Sequence, residues 1–200
     1  MVKSSIPGLP EIISPEIELK KPFSWLRLCR ELAEATGSSF ANAAKAFSKA
    51  VKAQKQYKKI LQLGYLPQEG MKILKNKIMP SKPKNNRDLQ IAVLGYPYQI
   101  HDPYINVNLL EHLRSLGVHI WTIEMVTEPM LRPYRKIMPK NHFWHFSNRV
   151  MWSLYYYLHK INLDGVIHVT AFACGPDAMV DKFMELELKD RKVPFISLTI

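Results

Sequence analysis

The chain reads as an α/β protein. Residues 89–200 form a parallel-sheet unit, flavodoxin-like or Rossmann-like, preceded over residues 1–88 by a basic, mainly helical region. Three observations predict this. Beyond residue 88, short apolar runs alternate with segments of helical period, the pattern of strands joined by crossover helices. The charge is divided: residues 1–88 carry 17 Lys+Arg against 7 Asp+Glu, a net +10, whereas residues 89–200 carry 11 against 10, a net +1, within a total of +11. Between the two lies a polar, proline-broken stretch over residues 76–88 that includes Pro80, Lys82, Pro83, Lys84, Asn85 and Asn86, which reads as a linker.

Taken in order, residues 1–22 hold four prolines and read as irregular. From Ser24, a candidate N-cap, Trp25, Leu28, Cys29 and Leu32 recur at helical spacing until Gly37. A second helix starts from Ser38 or Ser39. Its apolar face runs through Phe40, Ala43, Phe47, Ala50, Tyr57 and Leu61, and it ends near Gly64 with Pro67 beyond. The two make an αα-hairpin. Ile91-Ala92-Val93-Leu94-Gly95 is the first strand, and Ile105 to Gly117 a helix opened by Asp102-Pro103. His119 to Ile123 is the second strand, and residues 142–160 form a long aromatic helix. Asp164 to Val169 is the third strand, Gly175 to Arg191 a helix, and Val193 to Ile200 the fourth strand. A chain that stops on a buried strand of a parallel sheet is expected to be a truncated one, because both faces of such a sheet need covering.

With 47% hydrophobic and 22% charged residues, the composition excludes wholesale disorder and collagen-like repeats. Two cysteines make neither a disulfide framework nor, alone, a tetrahedral metal site. Pro7, Gly8, Pro10 and Pro15 interrupt any secretory signal core, and no run approaches a membrane span, so a cytoplasmic location is expected. Lys45, Lys49, Lys52 and Lys59, flanked by Lys55 and Lys58, line one face of the second helix. That stripe is either a solvated face or a grip on an anionic partner: RNA, acidic lipid or the phosphates of a coenzyme. Base readout would interleave arginine or aromatic residues, which the stripe lacks, so nucleic acid is disfavoured.

In parallel sheets, ligands bind at the carboxyl ends of the strands. After the first strand come Gly95, Tyr98, Asp102 and Asn106, the candidate ligand-binding residues; Gly95 stands where a sharp turn favours a residue tolerant of positive φ. Asp102 and Asn106 lie one turn apart, and Asp102 reads equally as a cap. After the third strand, Cys174 precedes Gly175-Pro176 at a helix start, where the helix dipole favours thiolate; it is the candidate metal ligand, a small buried hydrophobe, or a reactive thiol. Cys29 falls on an apolar stripe and reads as core. The histidines form no metal pattern, and no dinucleotide fingerprint, P-loop or nucleophile elbow is present.

Gly95-Tyr96-Pro97-Tyr98 followed by Asp102-Pro103 and Asn106 resembles a signature of proteins related to 2-hydroxyacyl-CoA dehydratases and the activases of CoA-substrate-specific enzymes. Phe143-Trp144, Asp164-Gly165-Val166-Ile167 and Phe172-Ala173-Cys174-Gly175-Pro176-Asp177 are similar to later segments of that family. The resemblance implies an accessory or dehydratase-like component of an acyl-CoA system. Its expected ligand is an acyl-CoA, and its expected partner is a dehydratase or activase subunit or a second copy of the chain. It also implies a 4Fe-4S cluster with Cys174 as one ligand. A cluster takes about three or four thiolates, so one cysteine in the α/β part requires the others from further sequence or a partner. The alternative is a non-enzymatic module that holds an anionic partner on its basic helices.

Overall fold

The structure is a computed structural model that describes residues 12–15, 21–77 and 89–200. Most of the predicted linker, residues 78–88, lies outside the described residues. Two compact units are present, Met1–Gln56 and Tyr57–Ile200.

In the first unit, α1 (Ser24–Ala35) begins one residue after Phe23, which stands at the N-cap with φ 65°, so Ser24 is the first helical residue rather than the cap. Gly37, at φ 63°, ends the turn after it. Leu28, Cys29 and Ala33 are the buried face of α1, and Trp25 stacks on Phe47 at 6.1 Å. The second helix, α2 (Phe40–Gln62), is capped by Ser39, whose hydroxyl accepts from the Asn42 amide at 3.2 Å.

The second unit is an α/β layer structure. A third helix, α3 (Pro67–Asn76), precedes the sheet, followed by β1 (Gln90–Gly95), α4 (Pro97–His101), α5 (Leu109–Ser115) and β2 (His119–Trp121). After β2 come short turns, α6 (Glu128–Leu131), the aromatic α7 (His145–Lys160), β3 (Gly165–Thr170), α8 (Gly175–Arg191) and β4 (Phe195–Thr199). All strand pairs are parallel, in the order β2-β1-β3-β4. That order decides between the two sheet types the sequence allowed, because it is the start of the flavodoxin order and not the Rossmann one.

Strand periodicity places helices on both faces. Ala92 and Leu94 of β1 and Val166 of β3 join one core with Leu154 of α7 and Val180, Met184 and Leu188 of α8. The alternate residues, Val93 and Val169, join the other core with Ile100, Leu110, Ile120 and Leu66.

Three expectations are corrected. The helix drawn from Ile105 begins only at Leu109, because Val107 and Asn108 adopt φ 52° and 57°, and Asp102 turns the chain back by accepting from the Tyr104 and Ile105 amides. Pro103 therefore opens no helix; Pro97 does, at the start of α4. Gly95 is not in the positive-φ region; it is glycine because a Cβ there would lie 2.5 Å from the Val169 carbonyl oxygen.

Candidate functional site

β1 hands its chain to one side of the sheet, toward β2, and β3 to the other, toward β4. Their loops therefore diverge and leave a crevice at the carboxyl ends of β1 and β3, the place where doubly wound sheets bind ligands. The crevice is built from the start of α4 and the start of α8.

At the first edge, Pro97 fixes the first turn of α4, and Gln99 at its third position accepts the Tyr96 amide at 2.7 Å through Oε1. The same side chain reaches across the crevice. Its Nε2 donates to Asp177 Oδ2 at 2.7 Å, and that oxygen also accepts the Ala171 amide at 3.0 Å. Gln99 is fully buried and Asp177 is 1% exposed. This bridge ties the loop after β1 to the loop after β3 across 78 residues of sequence.

Around the bridge stand Tyr96, Tyr98 and Cys174. Tyr96 Oη shares a 2.8 Å hydrogen bond with Ser147 of α7, and its ring lies against Phe146. Burial raises the Tyr96 phenol above its ordinary value, Ser147 opposes the shift, and the Asp177 carboxylate adds to it. Tyr98 is raised by burial first and then by the charges of Asp177 and Cys174, which places thiol, carboxylate and both phenols within one electrostatic neighbourhood. Both tyrosines are therefore neutral donors at physiological pH. Tyr98 is 55% exposed and presents its ring at the rim.

Cys174 is the N-cap residue of α8, half-buried, with its carbonyl accepting the Ala178 amide at 2.9 Å. Ala173 before it is held at φ 58°, a conformation that L residues take at a cost. Cys174 also borders a cavity of about 440 Å³ with Thr170, Asp181, Ser197 and Thr199. Asp181, one of its lining residues, has Oδ1 2.7 Å from Nδ1 of the buried His168 of β3.

Gly95, Tyr98 and Cys174 thus meet at one crevice, as the order of the strands predicts. Asp102 and Asn106 do not join them. Asp102 caps its own turn, while Asn106 is buried, donates to the Ile100 carbonyl and accepts the Leu109 amide at 3.3 Å. His142 precedes α7, so it shares no helical turn with His145. Gln99, Ser147 and the His101–Glu124 ion pair, 2.8 Å long, were missed. Only Gln99 carried a signal, since Pro97 with Gln99 two positions on is a helix-start pattern.

The 4Fe-4S cluster implied by the resemblance does not fit these residues alone. Cys29 is buried in Met1–Gln56, Cys174 stands without a second thiolate in its own unit, and among the described residues no group of three or more His, Cys, Asp or Glu side chains is placed to hold a metal ion. No helix among the described residues is long and apolar enough to cross a membrane.

A family model described as CoA enzyme activase uncharacterised domain matches residues 1–126, well over half of the chain. The chain belongs to that family. The match takes in α1 to α5, β1 and β2, and it includes the Tyr96–Gln99 side of the crevice. This supports, at family level, a CoA-enzyme activase or dehydratase-type system with a partner in it. No match was found among curated proteins.

Proposed function

We propose that this activase-family chain is an accessory component of a CoA-enzyme activase or dehydratase-type system, and that it works through the crevice between β1 and β3. The observation that carries the reading is the buried Gln99–Asp177–Ala171 bridge, which holds Tyr96, Tyr98 and Cys174 as one preorganised set at the ligand-binding position of the sheet. Gly95 supplies the close approach of β1 to β3, and Tyr98 is the ligand-facing donor. Cys174 contributes a single thiolate to an iron–sulfur site whose other ligands come from further sequence or a partner, and Asp102 and Asn106 close the turn after α4, apart from that site.

Anaerobic reconstitution with iron and sulfide, with and without a dehydratase subunit from the same source, tests this. The expected result is no visible charge-transfer absorption from the chain alone, absorption with the partner, and its loss in Cys174→Ala. Absorption indifferent to Cys174→Ala overturns the thiolate role.

A second reading rests on α2. Six lysines and no acidic residue stand on its 23 positions, and all six are exposed. Lysines three and four apart repel each other by about 0.2–0.5 kcal/mol per pair, a cost that an anionic partner relieves. Affinity for acidic vesicles or RNA should then fall steeply between low and physiological salt; a flat response removes this reading.

A further inference from the structure

A second cavity, of about 390 Å³, opens between α3 and the α4–α5 stretch, and none of its lining residues belongs to the crevice. Its apolar side is made by Leu66, Ile100 and Leu110, all buried. Its polar side holds Arg114, whose side chain is 17% exposed. Arg114 Nη2 donates to the Gly64 carbonyl at 2.9 Å and lies 3.7 Å from Glu69. Arg114 Nε and Nη1 are buried and find no acceptor among the described residues.

Glu69 is already committed, because its Oε2 accepts the Leu66 amide at 2.6 Å at the start of α3. His101 also lines the cavity. Its Nε2 lies 2.8 Å from Glu124, and its Nδ1 has no hydrogen-bond partner among the described residues. Guanidinium donors removed from water without an acceptor are costly, and a ligand oxygen is the simplest group to satisfy them.

We propose that this cavity binds a short-chain monocarboxylic acid, its carboxylate against the guanidinium of Arg114 and its hydrocarbon tail on Leu66, Ile100 and Leu110. Charge argues for the singly charged group. Glu69 and Glu111 line the cavity as well and offset Lys72 and Arg114, so no excess positive charge repays the larger desolvation cost of a dianionic phosphate, whereas one carboxylate is matched by the one guanidinium. The volume, about 390 Å³, lies at the small end of ligand pockets, which suits a tail of a few carbons.

Calorimetric titration of the full chain with butyrate tests the proposal, with butyramide as the uncharged isostere and inorganic phosphate as the competing anion. The expected result is saturable butyrate binding, at least about tenfold tighter than either control, and at least about a tenfold loss in Arg114→Met, one lost charge-assisted bond being worth that much. Absent saturation, equal binding of butyramide, or tighter binding of phosphate overturns it. The butyramide comparison uses the unsubstituted chain, so it decides the matter if Arg114→Met fails to fold. Failure here leaves the crevice reading untouched, because the iron–sulfur reconstitution does not depend on this cavity.

Discussion

Replacing Asp177 by Asn keeps the shape of the bridge and removes its charge. Asp177 is 1% exposed, so water does not screen the loss. Its Oδ2 accepts two donors, Gln99 Nε2 at 2.7 Å and the Ala171 amide at 3.0 Å. A hydrogen bond to a charged group contributes about 1.5–3 kcal/mol, roughly twice a neutral one. Asn retains one acceptor oxygen, so each bond keeps about half of its strength, and the change should destabilise the fold by about 1.5–3 kcal/mol. Ala, which leaves both donors buried and unpaired, should cost about 3–6 kcal/mol. At about 2–4 °C per kcal/mol for a domain of this size, Asp177→Asn should lower Tm by about 3–12 °C. Urea unfolding followed by tryptophan fluorescence measures the free energy, and a double-mutant cycle with Gln99→Leu isolates the bridge. The pair should couple by at least about 1 kcal/mol. A loss under about 0.5 kcal/mol in Asp177→Asn, or strict additivity with Gln99→Leu, would falsify the claim that this bridge organises the crevice.

Two further changes test the ground on which it stands. Burial pushes the Glu124 carboxyl up, but His101 beside it, together with Thr122 and the Glu124 backbone, outweighs that and holds it below its ordinary value. A folded-state value below the unfolded one stabilises above the unfolded value and is lost as pH falls through the folded one. With side chains 13% and 19% exposed, Glu124→Gln should cost about 1–3 kcal/mol at neutral pH, and the gap from the unsubstituted chain should close below about pH 4, as acid unfolding curves will show; a gap that widens in acid contradicts the pairing. Gly95→Ala puts a methyl group 2.5 Å from a backbone oxygen of β3 and should cost about 1–3 kcal/mol by the same measurement, whereas an unchanged Tm would mean that β1 and β3 separate freely at the crevice.

Element type was legible wherever periodicity and local chemistry agree. Gly175 to Arg191 forms the helix its sequence predicts, with Pro176 in its first turn and Lys192 turning the chain at φ 57°. The stretch from Ile105 misled because Ile105, Leu109 and Leu113 keep helical spacing while the Asp102 side chain and two positive-φ residues close a turn instead. The helix from Pro67 is absent from the predicted elements because Pro67 reads as the stop of the helix before it. Pro67 is in fact a helix start, and Gly70 is required where a Cβ would lie 2.9 Å from the Tyr57 ring. The crevice was legible to the level of its loops, since parallel order alone sends them to one edge. Its bridge was not, because nothing local marks Gln99 and Asp177 as partners.

The crevice and the cavity near Arg114 meet in α4, only five residues long. Tyr98 and Gln99 serve the crevice, while the next two residues, Ile100 and His101, line the cavity. So short a helix has no stability of its own. Its position is set from outside, by the Gln99–Asp177 bridge at one end and by His101–Glu124 at the other. The two anchors draw on different strands, β3 through the Ala171–Asp177 loop and β2 through Glu124, so the peptide carrying Tyr98 is stretched between the carboxyl ends of strands on both sides of β1. Gln99→Leu, which removes the bridge, should therefore disturb both places, and Asp177→Asn, which keeps a weakened bridge, should disturb both less.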